Sequence, residues 1–290
     1  MKNLYSNLNY FENGDTNKDI IIFLHPKNLS SWIWNNQIDY FDDYHCFYIN
    51  LDNRTIKENL DLIGNLIETK IKKENITTNK NSNKPQNKIN LVGIEFGGQI
   101  AIELLNKYPN IINKVFLSGV NFNNYKEIIF LLEENNEKNN KNKSNLEEYD
   151  EFNLDEIFTK TKKEYLDKKS ERFLAKAYLR EFGISKEYYE EMKESLDEKA
   201  FKEQYKIAKD SLNYKLNLNL KDNLNKNNFN MNNILISYGT KEDLTTQISA
   251  ITLKSLLKDV KLIKIEKGLL LWNMSKSELF NTILKEFLEE

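Results

Sequence analysis

The chain has 290 residues, of which 40% are hydrophobic and 12% aromatic, so it can bury a sizeable core despite a charged fraction of 30%. Its 42 Lys and Arg residues against 44 Asp and Glu residues give a formal net charge of -2, which excludes a sequence-wide attraction to nucleic acid or to anionic lipid. We therefore expect neither nucleic acid nor a membrane among its partners.

The amino-terminal residues lack the apolar stretch of a signal peptide, and no stretch reaches the length of a membrane-spanning helix, which predicts a cytoplasmic protein. The chain contains one cysteine, Cys46, and two histidines, His25 and His45. One cysteine excludes an internal disulfide, and two histidines without paired ligand spacing do not indicate a metal site. We expect no metal and no cofactor.

Apolar runs alternate with helical patterns in the first 120 residues. Uninterrupted apolar runs predict strands buried on both faces, and apolar residues three and four positions apart predict helices. The predicted elements here are strands at 19–26, 46–51, 89–94 and 114–119, a helix over 60–71 and a helix over 99–107. The polar residues 75–88 are interpreted as an exposed loop.

The strand signal disappears between residues 121 and 230, where long charged helices are predicted at 155–182 and 186–212. It then returns, with strands predicted at 233–239 and 260–265 and helices at 246–257 and 276–288. Strands alternating with helices are typical of a mostly parallel sheet covered on both faces. We therefore predict an α/β core from residues 1–120 and 231–290, interrupted by a helical lid at 121–230.

Four motifs occur in order along this pattern: His25-Pro26, the Gly93–Gly98 segment GIEFGG, the Gly239–Asp243 segment GTKED and the Gly268–Asn273 segment GLLLWN. Together they resemble the α/β-hydrolase superfamily over nearly the whole chain, with GIEFG in place of the G-x-S-x-G nucleophile elbow. The resemblance implies a doubly wound, mostly parallel sheet with a helical lid inserted before the last two strands.

The same resemblance assigns the positions of a catalytic triad. In the family, a serine attacks a carbonyl after a histidine takes its proton, and an acidic residue orients that histidine. Here the serine position is Glu95, the histidine position is Leu270, and the acid is Glu242 or its neighbour Asp243. No catalytic residue is therefore assigned. The leading interpretation is a non-catalytic protein that binds a small molecule or a protein partner.

The resemblance also identifies the oxyanion donors, which the family takes from the backbone N–H after the nucleophile and from the loop after His-Gly. These donors would belong to Phe96 and Lys27. Pro26 stands where the family has glycine, so it fixes φ, removes an N–H and reshapes the loop. His25 is expected to shape the same loop rather than to act on a substrate.

Four further residues are candidates for the pocket, each with a simpler structural alternative. Trp34 and Trp272 either line the pocket or pack in the core. Glu242 and Asp243 either keep the role of the acid or cap and solvate their loop. The sequence alone does not decide between these alternatives for either pair of residues.

Three functional hypotheses follow for Glu95. As an elbow residue it should point into the pocket in a strained backbone conformation costing about 1–3 kcal/mol, where the next helix stabilises an inert anion. The alternative is an active hydrolase or lyase of unusual mechanism that uses Glu95 as nucleophile or base. A third possibility is a structural or interaction protein whose pocket is filled by Leu270 and Leu271.

Overall fold

A computed structural model describes residues 8–51, 54–71, 88–130, 168–196 and 210–290, and within these ranges a seven-stranded sheet forms the centre of the molecule. The strands are β1 (Tyr10–Gly14), β2 (Ile20–Leu24), β3 (His45–Ile49), β4 (Ile89–Ile94), β5 (Ile112–Ser118), β6 (Ile234–Gly239) and β7 (Lys261–Ile265). Their order is β1-β3-β2-β4-β5-β6-β7. β1 is antiparallel to β3 and every other neighbouring pair is parallel, which confirms the predicted mostly parallel sheet.

The helices are α1 (Asn35–Ile38), α2 (Ile56–Leu66), α3 (Phe96–Lys107), α4 (Lys168–Glu181), α5 (Tyr189–Ser195), α6 (Leu220–Lys226), α7 (Leu244–Leu257), α8 (Trp272–Ser275) and α9 (Ser277–Glu289). Local sequence explains where α2 begins. The Thr55 hydroxyl accepts the Glu58 N–H, and the Glu58 carboxylate accepts the Thr55 N–H, which is a capping box. α2 continues as one π-helical segment at Ile67–Ile71.

The central strands separate two apolar clusters, because successive side chains of a strand point to opposite faces. Ile20, Ile22 and Leu24 of β2 pack in the first cluster together with α2, α3, α6 and α7. Ile21 and Phe23 pack in the second cluster together with α9 and the inserted helices α4 and α5. All five side chains of β2 are buried, as expected for a strand covered on both faces.

The described part of the predicted lid lies between β5 and β6. α4 falls within the helix predicted at 155–182, whose first residues, 155–167, lie outside the described residues. The helix predicted at 186–212 begins with a 3-10 turn, Lys186–Tyr188, and continues as the short α5, while its residues 197–209 lie outside the described residues. Leu220 and Leu224 of α6 pack in the first cluster with the sheet. The division of the chain at residues 120 and 230 stays a prediction.

Several boundaries differ from the sequence-based ones. The helix predicted from Gln99 begins at Phe96, so the glycine pair after the elbow is helical. The sequence analysis missed β1, the edge strand, whose side chains are only partly buried. The loop predicted at 75–88 lies, apart from its last residue, outside the described residues. Among the described helices, none combines the length and the apolar character needed to cross a membrane.

Candidate active site

Five loops that follow the carboxyl ends of parallel strands meet at one edge of the sheet, where an open α/β sheet forms its ligand crevice. They carry Lys27 after β2, Glu95 after β4, Gly119 after β5, Glu242 after β6 and Leu270 after β7. The topology therefore brings together residues from distant parts of the sequence at the position that the resemblance assigns to a catalytic site.

The turn from β4 into α3 has the geometry of a nucleophile elbow. Glu95 has φ 50° and ψ −109°, a conformation that is strained for a residue with a side chain. Its N–H donates to the Ser118 carbonyl at 2.9 Å. A Cβ on Gly97 would lie 2.1 Å from the Leu24 carbonyl oxygen, so the turn requires glycine there. Close packing against β2 and β5 thus fixes the Glu95 backbone.

Among the residues that the structure describes, Lys27 holds the carboxylate of Glu95. Its Oε2 accepts the Lys27 main-chain N–H at 2.9 Å, and its Oε1 contacts the Lys27 ammonium as an ion pair. The Glu95 side chain is only 6% exposed. One of the two backbone donors that the resemblance assigns to the oxyanion site, the Lys27 N–H, is therefore occupied by the carboxylate of the elbow residue.

Lys27 lies between the core and the solvent, with 23% of its side chain exposed. Burial lowers the pKa of its ammonium to about 8, and the negative charge of Asp243 opposes this shift. A lysine in such surroundings is easier to deprotonate than an ordinary surface lysine. The amine is thus closer to its neutral, nucleophilic form than its residue type alone suggests.

His25 is a structural residue of the loop after β2. Its Nδ1 donates to the Pro26 carbonyl at 2.7 Å, and its Nε2 accepts the Leu51 N–H at 2.9 Å; these partners assign the neutral tautomer. Burial lowers the pKa of His25 to about 4, although the Pro26 hydrogen bond opposes this. With both ring nitrogens engaged, the imidazole has no nitrogen left to take a proton from a nucleophile.

Glu242 lies beside the residue at the histidine position. Its Oε1 accepts the Gly239 N–H at 2.8 Å, while its buried Oε2 has no hydrogen-bond partner in the described part of the chain. A Cβ on Gly119 would contact both Leu270 Cδ1, at 2.6 Å, and Glu242 Oε2, at 2.9 Å, so those two atoms are neighbours. A methyl group of Leu270 thus lies near the Glu242 carboxylate, at a place where a catalytic triad would need an imidazole N–H.

The environment of Glu242 disfavours its charged form. Burial raises the pKa of its carboxyl to about 7; the Gly239 N–H opposes the shift, and the charge of Asp243 adds to it. Asp243 itself is the N-cap of α7. Its two carboxylate oxygens accept the Thr246 N–H at 2.9 Å and the Thr246 hydroxyl at 2.8 Å, which stabilises the start of that helix.

The aromatic pocket candidates belong to the core. Trp34 and Trp272 are both 0% exposed, and the Phe96 side chain is 1% exposed. The Trp272 indole donates to the Ser118 hydroxyl at 2.8 Å, and the Trp34 ring packs 5.0 Å from the Phe23 ring. The structure therefore assigns both tryptophans to core packing, the simpler of the two alternatives that the sequence left open.

A contact of Trp32 with the region predicted as a lid does not follow from any motif in the sequence. The Trp32 ring stacks on Tyr188 with the ring centroids 5.5 Å apart, and its indole N–H donates to the Ser195 hydroxyl at 3.4 Å. Trp32 lies five residues after Lys27, so this stack joins the segment after Lys27 to the described helices between β5 and β6. Only its aromatic character, two positions before Trp34, could have pointed to it.

The described residues contain no metal site but do form a polar surface pocket. No group of three or more His, Cys, Asp or Glu side chains in these residues could hold a metal ion. A polar surface pocket of about 470 Å³ lies at the end of α3 opposite Glu95, lined by Asn106, Asn217, Asn219, Asp222, Asn223 and Lys226. This pocket is separate from the crevice at the carboxyl ends of the strands.

No protein-family model and no curated protein matches the sequence. Solved structures do match the fold. MGS-M2, an α/β-hydrolase enzyme from a Medee basin deep-sea metagenome library, is 16% identical with a TM-score of 0.64, covering 98% of this chain and 94% of that one. Est816, described as an N-acyl homoserine lactone degrading enzyme, is 16% identical with a TM-score of 0.61, covering 97% and 96%. A lipase-esterase related protein from Clostridium acetobutylicum is 17% identical with a TM-score of 0.58, covering 97% and 99%.

Proposed function

We propose that this protein, whose fold is that of the α/β-hydrolases, performs no serine-hydrolase chemistry and uses its crevice to bind a small molecule or a protein partner. The elbow carries Glu95 instead of serine, and Leu270 replaces the histidine. The relatives with this fold are described as enzymes, but at 16% and 17% identity their activities do not transfer. The proposal therefore depends on the site itself.

The contact of the Glu95 carboxylate with the Lys27 main-chain N–H carries this proposal. An oxyanion hole works because its donors await charge that develops only in the transition state. A donor already bonded to a carboxylate cannot do this, and its partner anion would repel a second negative charge. In this proposal the ligand binds at the crevice beyond the strand ends, next to the face of the sheet on which α4 and α5 pack.

A second candidate function rests on the Lys27 amine. A covalent route through a Glu95 ester needs a base to activate water, and neither nitrogen of His25 is free for that role. Lys27 contacts Glu95, and burial lowers its pKa to about 8, which suits a base in mildly alkaline solution. In this alternative, Glu95 is the nucleophile and Lys27 the base of a hydrolase or lyase of unusual mechanism.

Turnover of short-chain nitrophenyl esters tests the two candidates. We expect no turnover by the wild-type protein or by Glu95→Ser alone, because the base is missing. We expect turnover by the Glu95→Ser, Leu270→His double variant, in which Glu242 Oε2 gains an imidazole N–H to orient. Wild-type turnover that disappears in both Glu95→Gln and Lys27→Met would overturn the proposal in favour of the second candidate. Leu270→His alone is the matched control for the new histidine.

The binding role is tested separately, by the unfolding midpoint of the wild-type protein in a panel of small metabolites and by affinity capture of partners. A ligand present at 100 times its Kd stabilises the fold by about 2.7 kcal/mol, enough for a clear rise of the midpoint. If no metabolite in the panel raises the unfolding midpoint, and affinity capture retains no partner, the proposed binding role loses its support.

A further inference from the structure

We propose that Lys27 and Glu95 condense into an amide cross-link between their side chains, a covalent modification that the folded site forms on itself. This proposal goes beyond the proposed function, because the absence of esterase activity does not by itself imply a cross-link. The cross-link is a product that Lys27 and Glu95 form with each other, whereas the proposed function concerns what happens to an added ester.

The first observation is the enclosure of this ion pair. The side chains of Lys27 and Glu95 are 23% and 6% exposed, whereas those of the surface pair Lys193 and Glu190 are 38% and 68% exposed. In the condensation, the Lys27 ammonium first passes a proton to the Glu95 carboxylate within the contact, which leaves a neutral amine beside a neutral carboxylic acid. Burial also lowers the pKa of the Lys27 ammonium to about 8. The nucleophile therefore becomes available where it already contacts the carboxyl group.

The second observation is the position of the Lys27 main-chain N–H. It donates to Glu95 Oε2 at 2.9 Å, while the lysine Nζ contacts the other oxygen, Oε1. When Nζ attacks Cδ, negative charge develops on Oε2, directly at that donor. The backbone donor that the fold uses for an external substrate is thus directed at the carboxyl group of the protein itself.

The third observation is that the two groups are held in place. The Glu95 backbone is fixed at φ 50° by close packing of the elbow, and the His25 hydrogen bonds to Pro26 and Leu51 fix the loop before Lys27. Holding two reacting groups in contact removes the entropic cost of bringing them together. A surface ion pair has no comparable restraint.

The atoms balance without any further reactant. The C–N bond forms between Lys27 Nζ and Glu95 Cδ, and the bond from Cδ to Oε1 breaks. Of the three hydrogens on the ammonium, one stays on the amide nitrogen and two leave with Oε1 as one water molecule. The negative charge of the carboxylate and the positive charge of the ammonium disappear together, so the product is neutral and suits its buried position.

The test is the intact mass of the purified full-length protein, followed by peptide mapping. We expect a wild-type mass lower than the sequence mass by one water molecule, and a branched peptide joining the segments of Lys27 and Glu95. Lys27→Arg should show its full sequence mass, because a guanidinium keeps the charge but is not deprotonated. Peptides containing Lys193 and Glu190, the exposed pair of the same molecule, should appear without cross-link.

A wild-type protein at full sequence mass, with separate peptides for Lys27 and Glu95, would overturn the inference even if no variant folded. A loss of water that persists in Lys27→Arg and maps elsewhere would overturn it as well. The ester assay gives an independent result. Absence of the cross-link with no esterase activity refutes this inference alone, while esterase activity of the wild-type protein refutes the proposed function.

Discussion

Acid should destabilise this protein through one buried imidazole, that of His25. Its Nε2 accepts the Leu51 N–H and its Nδ1 donates to the Pro26 carbonyl, so the neutral ring satisfies both neighbours. A proton on Nε2 would place two N–H groups against each other in a position that is 2% exposed. The loop that carries Lys27 should therefore tolerate only the neutral imidazole.

The magnitude follows from the pKa. Burial lowers the pKa of His25 from 6.5 to about 4, so between these values the unfolded chain binds a proton that the folded chain does not. With respect to His25, the free energy of unfolding has its full value above pH 6.5 and falls as the pH is lowered to 4. At 1.36 kcal/mol for each pKa unit, the loss attributable to His25 is roughly 3 kcal/mol.

Urea unfolding followed by circular dichroism, at several pH values from 4 to 8, measures this loss. His25→Asn is the matched variant, because its side-chain amide can still donate to the Pro26 carbonyl but does not titrate. The variant should be less stable at pH 8, and the gap should narrow by roughly 3 kcal/mol on going to pH 4. Glu242 titrates in both proteins and cancels in the comparison. Parallel pH profiles of the two proteins would refute the reasoning.

Two further predictions concern the elbow and the acid. Burial raises the pKa of Glu242 from 4.5 to about 7, so the ionised carboxylate destabilises the fold above pH 7. Glu242→Gln should therefore be more stable than wild type at pH 8, by up to about 3 kcal/mol. In urea unfolding, this gain in stability should vanish at pH 4.5. A gain independent of pH would contradict this. Gly97→Ala should lower stability by about 1–3 kcal/mol or more, because its Cβ would lie 2.1 Å from the Leu24 carbonyl oxygen. Gly183→Ala is its control: φ is 65° there, but the nearest atom to a Cβ is 3.5 Å away, so only backbone strain of about 1 kcal/mol is expected. Equal losses in the two variants would contradict the packing argument.

The buried part of the fold could be predicted from the sequence because its strands are mostly apolar runs. β2 is apolar and buried along its whole length, and β3 is buried along its whole length with the polar His45 at its start. β1 has no such signature, because it pairs with the sheet on one side only and its Asn and Glu side chains are partly exposed. The predicted start of α3 lies after its observed start because the first turn of this helix contains Gly97, and glycine normally indicates a turn.

The site could be predicted only in part. The residues at the elbow, the acid loop and the histidine position follow from motifs that are local in sequence. The contact between Lys27 and Glu95 spans 68 positions and depends on the folded-back lysine, so no local pattern contains it. The same holds for the contact of Trp32 with Tyr188, which joins the core to an insertion. A local sequence motif can predict which residue types occupy a site, but it cannot predict which of their side chains make contact, because those contacts form only in the tertiary structure.

The strained elbow shows why geometry alone does not establish catalysis. Gly93 and Gly97 allow the turn to pack against neighbouring backbone, and a Cβ on either would lie within 2.6 Å of a carbonyl oxygen. The positive φ of Glu95 is therefore imposed by packing, whichever side chain stands there. Any non-glycine residue at this position would keep the strain as long as the chain keeps the sheet and α3. A carboxylate at this position then needs compensation for its charge, and the ammonium and N–H of Lys27 supply both contacts. Lys27 is thus the residue that compensates the charge of Glu95 in the described part of the chain, which makes it the residue to substitute first.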